Sequence, residues 1–204
     1  MLYLNTIEKH TLELLKKIQS LPNFSDCRLV GGTALALQLG HRKSIDLDFF
    51  GHFDLSAEEI RFELSKLGTL KVIQETKFIF QYILNNIKID FVNYPYEWIS
   101  DKISEEGIIL ADIKDIAAMK LSAITNRGTK KDFVDIFELL KIFTLEELLK
   151  FFTLKYKDNV PFMTIKSLTY FEDAEEEPMP YMFSNTSWDE IKNTITQEVI
   201  KLAK

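Results

Sequence analysis

Cysteine is almost missing from this chain. Cys27 is its single thiol in 204 residues, which excludes an intrachain disulfide and any zinc site built from several thiolates. One thiol suits a reducing compartment, and the expected location is the cytoplasm. Long apolar runs are missing too. None approaches the roughly 20 residues that a membrane span needs, and the N-terminus lacks the apolar segment of a signal peptide. An excess of positive charge is likewise absent: the net charge is −6, which argues against a nucleic-acid coat over the whole surface but leaves room for a local basic patch. The three histidines, His10, His41 and His52, share no metal-ligand spacing. There is no repeat, no low-complexity tract, no Walker-type phosphate loop, no dinucleotide fingerprint and no Ser-His-Asp or Cys-His arrangement.

What is present is a globular composition. Hydrophobic residues make up 46% and aromatics 12%, sixteen of them Phe, enough for one sizeable core or a core with a helical annex. Periodicity predicts an amphipathic helix in "TIEKHTLELLKKIQSL", a short strand in "CRLVGG", and a short helix in "TALALQL" that Thr33 could cap. A second strand follows in "SIDLDFFG", then a helix opened by Ser56 and stopped at Gly68. Strands are expected in "TLKVIQET", "FIFQYIL" and "IKIDFVNYP", the last two joined by a hairpin turn at Asn85–Asn86. From Asp112 the pattern is helical, with a last helix starting near Ser187 and a solvated acidic loop at "EDAEEEPMP". The expected organisation is α+β: an α/β domain over 1–110 and a helical region over 111–204.

Chemistry concentrates in "LVGGTALALQLGHRKSIDLDFF", residues 29–50. In a strand, Asp46 and Asp48 share one face, while Ile45, Leu47 and Phe49 share the other. Two carboxylates on one face repel each other, and a cation removes that cost; hard oxygen ligands suit Mg²⁺ or Mn²⁺. Asp90 alternates against Ile89 and Phe91 in the same way and is the candidate third carboxylate. Three aspartates from two strands are a usual platform for two-metal nucleotidyl transfer. The Asp-x-Asp pattern by itself also fits carboxylates capping a sheet edge beside solvent. Gly31–Gly32, between a strand and a helix, would let backbone N–H groups approach a phosphate.

The run from Gly31 to Phe50, with Arg42, Ser44, Asp46 and Asp48, resembles the first motif of the AbiEii/AbiGii toxin-like branch of the DNA polymerase β nucleotidyltransferase superfamily. A second segment, "DIKDIAAMKLSAITNRGTKKDFVDIFELL" (112–140), is similar to that branch's downstream motifs. The resemblance implies a polymerase β-like nucleotidyltransferase domain with a mixed sheet. It implies catalytic roles for Asp46, Asp48, Asp90 and Lys120, with two Mg²⁺ (or Mn²⁺) ions on the three aspartates. Nucleotide binding would fall to Gly31, Gly32, Thr33, Arg42, Ser44, Lys120, Arg127, Lys130 and Lys131, and Asp132 and Asp135 match the downstream acidic motif. Expected partners are an NTP, a tRNA or other RNA acceptor and a cognate antitoxin, as in the toxin half of a type IV-like toxin–antitoxin or abortive-infection pair, with no membrane. Two other readings remain: a small-molecule nucleotidyltransferase of the antibiotic-modifying kind, and a catalytically idle binding module of the same fold.

Outside these motifs the expectations are plain. Tyr94, Tyr96 and Trp98 could stack a base but suit packing better. Phe143, Phe151, Phe152 and Phe162 read as helical core, Cys27 as a buried small hydrophobe, and His41 as an auxiliary substrate contact at most.

Overall fold

Alternation of apolar and polar side chains builds the sheet that carries Asp48 and Asp90, while Asp46, expected in the same strand, lies one residue ahead of it. A computed structural model of the chain describes residues 1–157 and 159–202, so that Asp158, Ala203 and Lys204 of the expected helical region lie outside the described residues. The chain divides into two compact units: Met1–Gly40, Ser44–Pro95 and Asp101–Ala111 form the first, and His41–Lys43, Tyr96–Ser100 and Asp112–Lys204 the second.

The first unit holds α1 (Lys9–Gln19), β1 (Arg28–Val30), α2 (Gly31–Leu39), β2 (Leu47–Gly51), α3 (Ala57–Ser65), β3 (Leu70–Glu75), β4 (Ile79–Leu84), β5 (Ile87–Asn93), β6 (Ile103–Glu105) and β7 (Ile108–Leu110). Among the described residues these strands make one seven-stranded sheet in the order β3-β4-β5-β2-β1-β7-β6. It is mixed: β2 runs parallel to β5 and β1 parallel to β7, while the other neighbours are antiparallel. Leu47 and Phe49 of β2 lie opposite Ile89 and Phe91 of β5, and all four are fully buried. Phe91 stacks on Phe49 at 5.1 Å and meets Phe24 at 4.6 Å, so the core face of both strands is fixed by aromatic packing. Ser56 and Glu59 form the capping box that starts α3. Asn85 and Asn86 both have positive φ, 52° and 66°, as a two-residue hairpin turn requires.

The β6–β7 hairpin is a finding beyond the sequence expectations. Its strands have three residues each, too short to show alternation, and its turn is Glu106–Gly107, with φ of 54° and 77°.

The second unit is helical: α4 (Ile113–Asn126), α5 (Lys130–Leu140), α6 (Leu145–Lys155), α7 (Pro161–Ser167), α8 (Glu172–Glu175) and α9 (Trp188–Lys201). Asp112, Thr144 and Ser187 cap α4, α6 and α9 through their side chains. Helix α4 packs against α5, α6 and α7, and α5 against α9. Two expectations are corrected here, and one helix is new. The acidic stretch is not wholly a solvated loop: 172–175 make one helical turn, Ala174 is buried, and Glu175 and Glu177 bind Lys192 and the Lys130 backbone, which relieves the charge crowding. Helix α7 starts with Pro161 at its first turn and had no apolar period to announce it, since Phe162 and Met163 are exposed. Phe162 therefore leaves the helical core, while Phe152 is buried there and Phe143 meets Phe151 edge-on at 5.1 Å.

Candidate active site

In the first unit the register of β2 and β5 places Asp48 directly opposite Asp90, between the buried pairs Leu47–Ile89 and Phe49–Phe91. Phase and register agree, so the two carboxylates share the face opposite the core. On its other side Asp48 pairs with Val30, the last residue of β1. Gly31 follows with φ of +68°, and a Cβ there would run into Oδ2 of Asp48. Glycine is thus required twice, for the left-handed backbone and for the approach of the α2 N-terminus to a carboxylate. Gly32 is the second residue of that helix.

Thr33 is not the cap that sequence suggested. Helix α2 begins at Gly31, and Thr33 is its third residue. Its buried hydroxyl donates to the Asp46 carbonyl and lies 2.8 Å from Ser44 Oγ. Ser44 N–H in turn donates to the Thr6 carbonyl at 2.9 Å. The backbone ahead of β2 is therefore pinned to α2, which fixes Asp46 just before the strand.

Asp90 is held asymmetrically. Its Oδ2 accepts from Gln81 Nε2 at 2.7 Å and from Lys88 Nζ at 2.8 Å, whereas its Oδ1 is buried with no hydrogen-bond partner. Burial works against the Lys88 ammonium, but the hydrogen bond and charge of Asp90, with the charges of Asp48 and Asp46, outweigh it and raise its pKa. All three carboxylates therefore act on one cation. Gln81 and Lys88 were missed in the sequence, although Lys88 shares the phase of Asp90 and the Asn85–Asn86 turn sets Gln81 opposite it.

A divalent cation fits this donor set in chemistry: hard carboxylate oxygens, an in-register pair and a buried acceptor atom without a partner. Among the described residues no three His, Cys, Asp or Glu side chains are already gathered as a ligand group. The Lys88 ammonium is drawn to these carboxylates and sits on Asp90.

The motif residues of the second unit form a separate, buried network. Asp135 is fully buried and accepts from Arg42 Nε at 2.7 Å and Nη2 at 2.9 Å, a two-pronged pair. His41 Nε2 lies 2.8 Å from Oδ1 and acts as donor, because an ionised carboxylate only accepts. His41 is thus a partner of Asp135, with its Nδ1 buried and without a hydrogen bond. Lys120 Nζ bridges Asp135 at 2.6 Å and Asp132 at 2.9 Å. Burial opposes the charge of Asp135, yet Arg42 and Lys120 hold its carboxyl well below the usual range. Asp132 behaves alike: burial is outweighed by Lys120 and Arg127, and its pKa falls to about 2.

The cations of the 120–131 segment therefore divide. Lys120 and Lys130 are buried, with the Lys130 ammonium on the Glu175 carbonyl at 2.9 Å and over the Trp188 ring. The Arg127 side chain is 59% exposed while its Nε holds Asp132 at 3.0 Å, and Lys131 is exposed. Of the aromatics, Tyr94 packs on Phe50 and Tyr96 on Tyr156, and Trp98 lies under the Lys155 ammonium. Cys27 is buried, and burial followed by the Asp26 charge pushes its thiol up to about 12.

Known proteins share this architecture. The family model described as nucleotidyl transferase AbiEii toxin, type IV TA system, matches residues 13–201. An uncharacterised protein of Aquifex aeolicus (strain VF5), aq_aa25, is 36% identical over 200 residues, spanning 95% of this chain and 96% of its own. JHP933 from Helicobacter pylori superposes with a TM-score of 0.57 at 19% identity, over 97% of this chain and 95% of that one. MenT4, a nucleotidyltransferase toxin from Mycobacterium tuberculosis, gives 0.59 at 14% identity, over 94% of this chain and 80% of its own. These likenesses show that the chain shares the fold of JHP933 and MenT4, here built on a mixed sheet. No helix among the described residues is long and apolar enough to cross a membrane.

Proposed function

Because the chain belongs to the AbiEii nucleotidyl transferase toxin family and is a nucleotidyltransferase, we propose that it transfers a nucleoside monophosphate from an NTP to a hydroxyl of an RNA acceptor, a tRNA end being the first to test. In this reading it works in the cytoplasm under a cognate antitoxin. One observation carries the chemistry: Asp48 and Asp90 stand in register beside the Gly31 turn, and Asp90 keeps a buried oxygen without a partner.

Asp46, Asp48 and Asp90 would hold the divalent cations, Mg²⁺ or Mn²⁺. When bound, these supply positive charge against the phosphate oxygens as negative charge builds on them. The chain's own residues do the rest. The backbone N–H groups at the start of α2, at the Gly31–Gly32 turn, donate to phosphate oxygens, and Ser44 adds a hydroxyl. The acceptor oxygen bonds to the α-phosphorus, the bond from that phosphorus to the α–β bridging oxygen breaks, and pyrophosphate leaves. The hydroxyl proton goes to the Asp90 carboxylate. Arg127 and Lys131, exposed cations of the 120–131 segment, meet acceptor oxygens. Lys120 reaches a phosphate only by releasing Asp132 or Asp135, which favours a supporting role in which it keeps α4 and α5 together.

Incubating the purified protein with Mg²⁺, each α-labelled NTP in turn and either total cellular RNA or a panel of aminoglycosides tests the reading. Label should enter RNA and require Asp48. Label entering aminoglycosides but not RNA would favour the antibiotic-modifying reading, and no transfer to any acceptor would overturn the enzyme assignment of these aspartates.

A further inference from the structure

Two donors of different charge meet on one oxygen of Asp90. Gln81 lies directly across from it on β4 and is neutral. Lys88 lies two residues before it on the same face of β5 and is cationic. Their mobility differs as well. The Lys88 side chain is 42% exposed against 13% for Asp90, and its four-carbon stem can carry the ammonium out to solvent.

We propose that these donors have opposite tasks: Gln81 is a positioning residue that fixes the Asp90 carboxylate with Oδ1 turned to a divalent cation, and Lys88 is a counter-ion that the cation displaces. The inference rests on the reading that Asp46, Asp48 and Asp90 hold metal. Asp48 and Asp90 on one face, with Asp46 just ahead of the strand, repel each other, and an ammonium on Asp90 offsets part of that repulsion. A divalent cation brings more charge to the same oxygens, and two cations on one carboxylate repel in turn. Gln81 carries no charge and raises no such conflict. A hydrogen bond to the non-ligating oxygen of a metal-binding carboxylate is instead the common means of orienting it. Lys88 would thus set a threshold: the site stays partly neutralised until free metal is high enough to expel the ammonium.

Binding of Mn²⁺ to the full chain without nucleotide, followed by the loss of the free-ion EPR signal, decides between these roles. Lys88→Met should bind Mn²⁺ about three- to tenfold more tightly than wild type, and Lys88→Arg, which keeps the charge, should stay near wild type. Gln81→Leu should bind about tenfold more weakly. Melting in EDTA gives a second readout, with Lys88→Met below wild type and the deficit removed by Mn²⁺. Unchanged or weaker binding in Lys88→Met, with binding still abolished by Asp48→Asn, overturns the counter-ion role and leaves the metal reading standing. Unchanged binding in Gln81→Leu overturns the positioning role. If Asp48→Asn binds Mn²⁺ as well as wild type does, the metal reading fails and the proposal falls with it.

Discussion

Asp48 and Asp90 face each other across two neighbouring parallel strands, so two like charges are held side by side by the packing of Leu47, Phe49, Ile89 and Phe91 beneath them. Core packing imposes this proximity on groups that repel, which is how a fold stores affinity for a cation. Asp48→Asn should lower nucleotide transfer at least about a hundredfold. Its melting temperature in EDTA should stay within about 2 °C of wild type or rise, because a like-charge contact is relieved. Labelled-NTP transfer and a thermal scan check both, and full activity in the variant would remove Asp48 from the reaction.

Gly31→Ala tests the turn behind these carboxylates. A Cβ meets Oδ2 of Asp48, and the backbone sits at φ +68°. The expected loss of stability is about 1–3 kcal/mol, measured by urea unfolding. Transfer should fall further than stability alone accounts for, because the collision moves the carboxylate itself. An alanine variant with normal stability and normal transfer would mean that the turn relaxes without touching Asp48.

Acid should unfold the protein through the second unit. Asp132 has a folded pKa of about 2 and Asp135 one well below the usual value. For depressed carboxylates the stabilisation is present above the unfolded pKa, near 4, and is lost as pH falls through the folded values. Asp132 alone contributes on the order of 2 kcal/mol, lost between about pH 4 and pH 2. Asp132→Asn should be less stable at pH 7 and should lose less stability across that window, as urea midpoints at each pH will report. Parallel pH profiles for variant and wild type would show that Asp132 is not an acid-sensitive tie.

RNA binding should depend on salt through the exposed cations. Arg127→Ala and Lys131→Ala should each lower the slope of log K against log salt by about one unit. Lys130→Ala should leave the slope unchanged and lower stability instead, since its ammonium is buried on the Glu175 carbonyl. Equal slopes for wild type and both exposed-cation variants would move the RNA elsewhere on the protein.

The strands that carry the aspartates were legible because their signals are local. Alternation in "IDLDFF" and "IKIDF" sets the phase, and Asn85–Asn86 sets the β4–β5 register. What escaped was either too short or too distant. The three-residue strands β6 and β7 show no period, and Thr33 serves Asp46 rather than its own helix end. The downstream cations looked alike in sequence as lysine or arginine near aspartate. Only the helix packing reveals that Lys120 is spent on Asp132 and Asp135 while Arg127 remains half in solvent.

The Arg42 guanidinium and its Asp135 partner are 93 residues apart in the chain. During synthesis, at roughly 5–20 residues per second, Arg42 leaves the ribosome several seconds before its carboxylate exists. Until α5 has emerged, the residues just ahead of the Asp46–Asp48 strand lack the anchor that the finished protein gives them. A nascent chain interrupted after Asp90 but before Asp135 carries the aspartate-bearing sheet segment, yet not the tie at Arg42. The finished chain acquires that tie only when its second motif has been made.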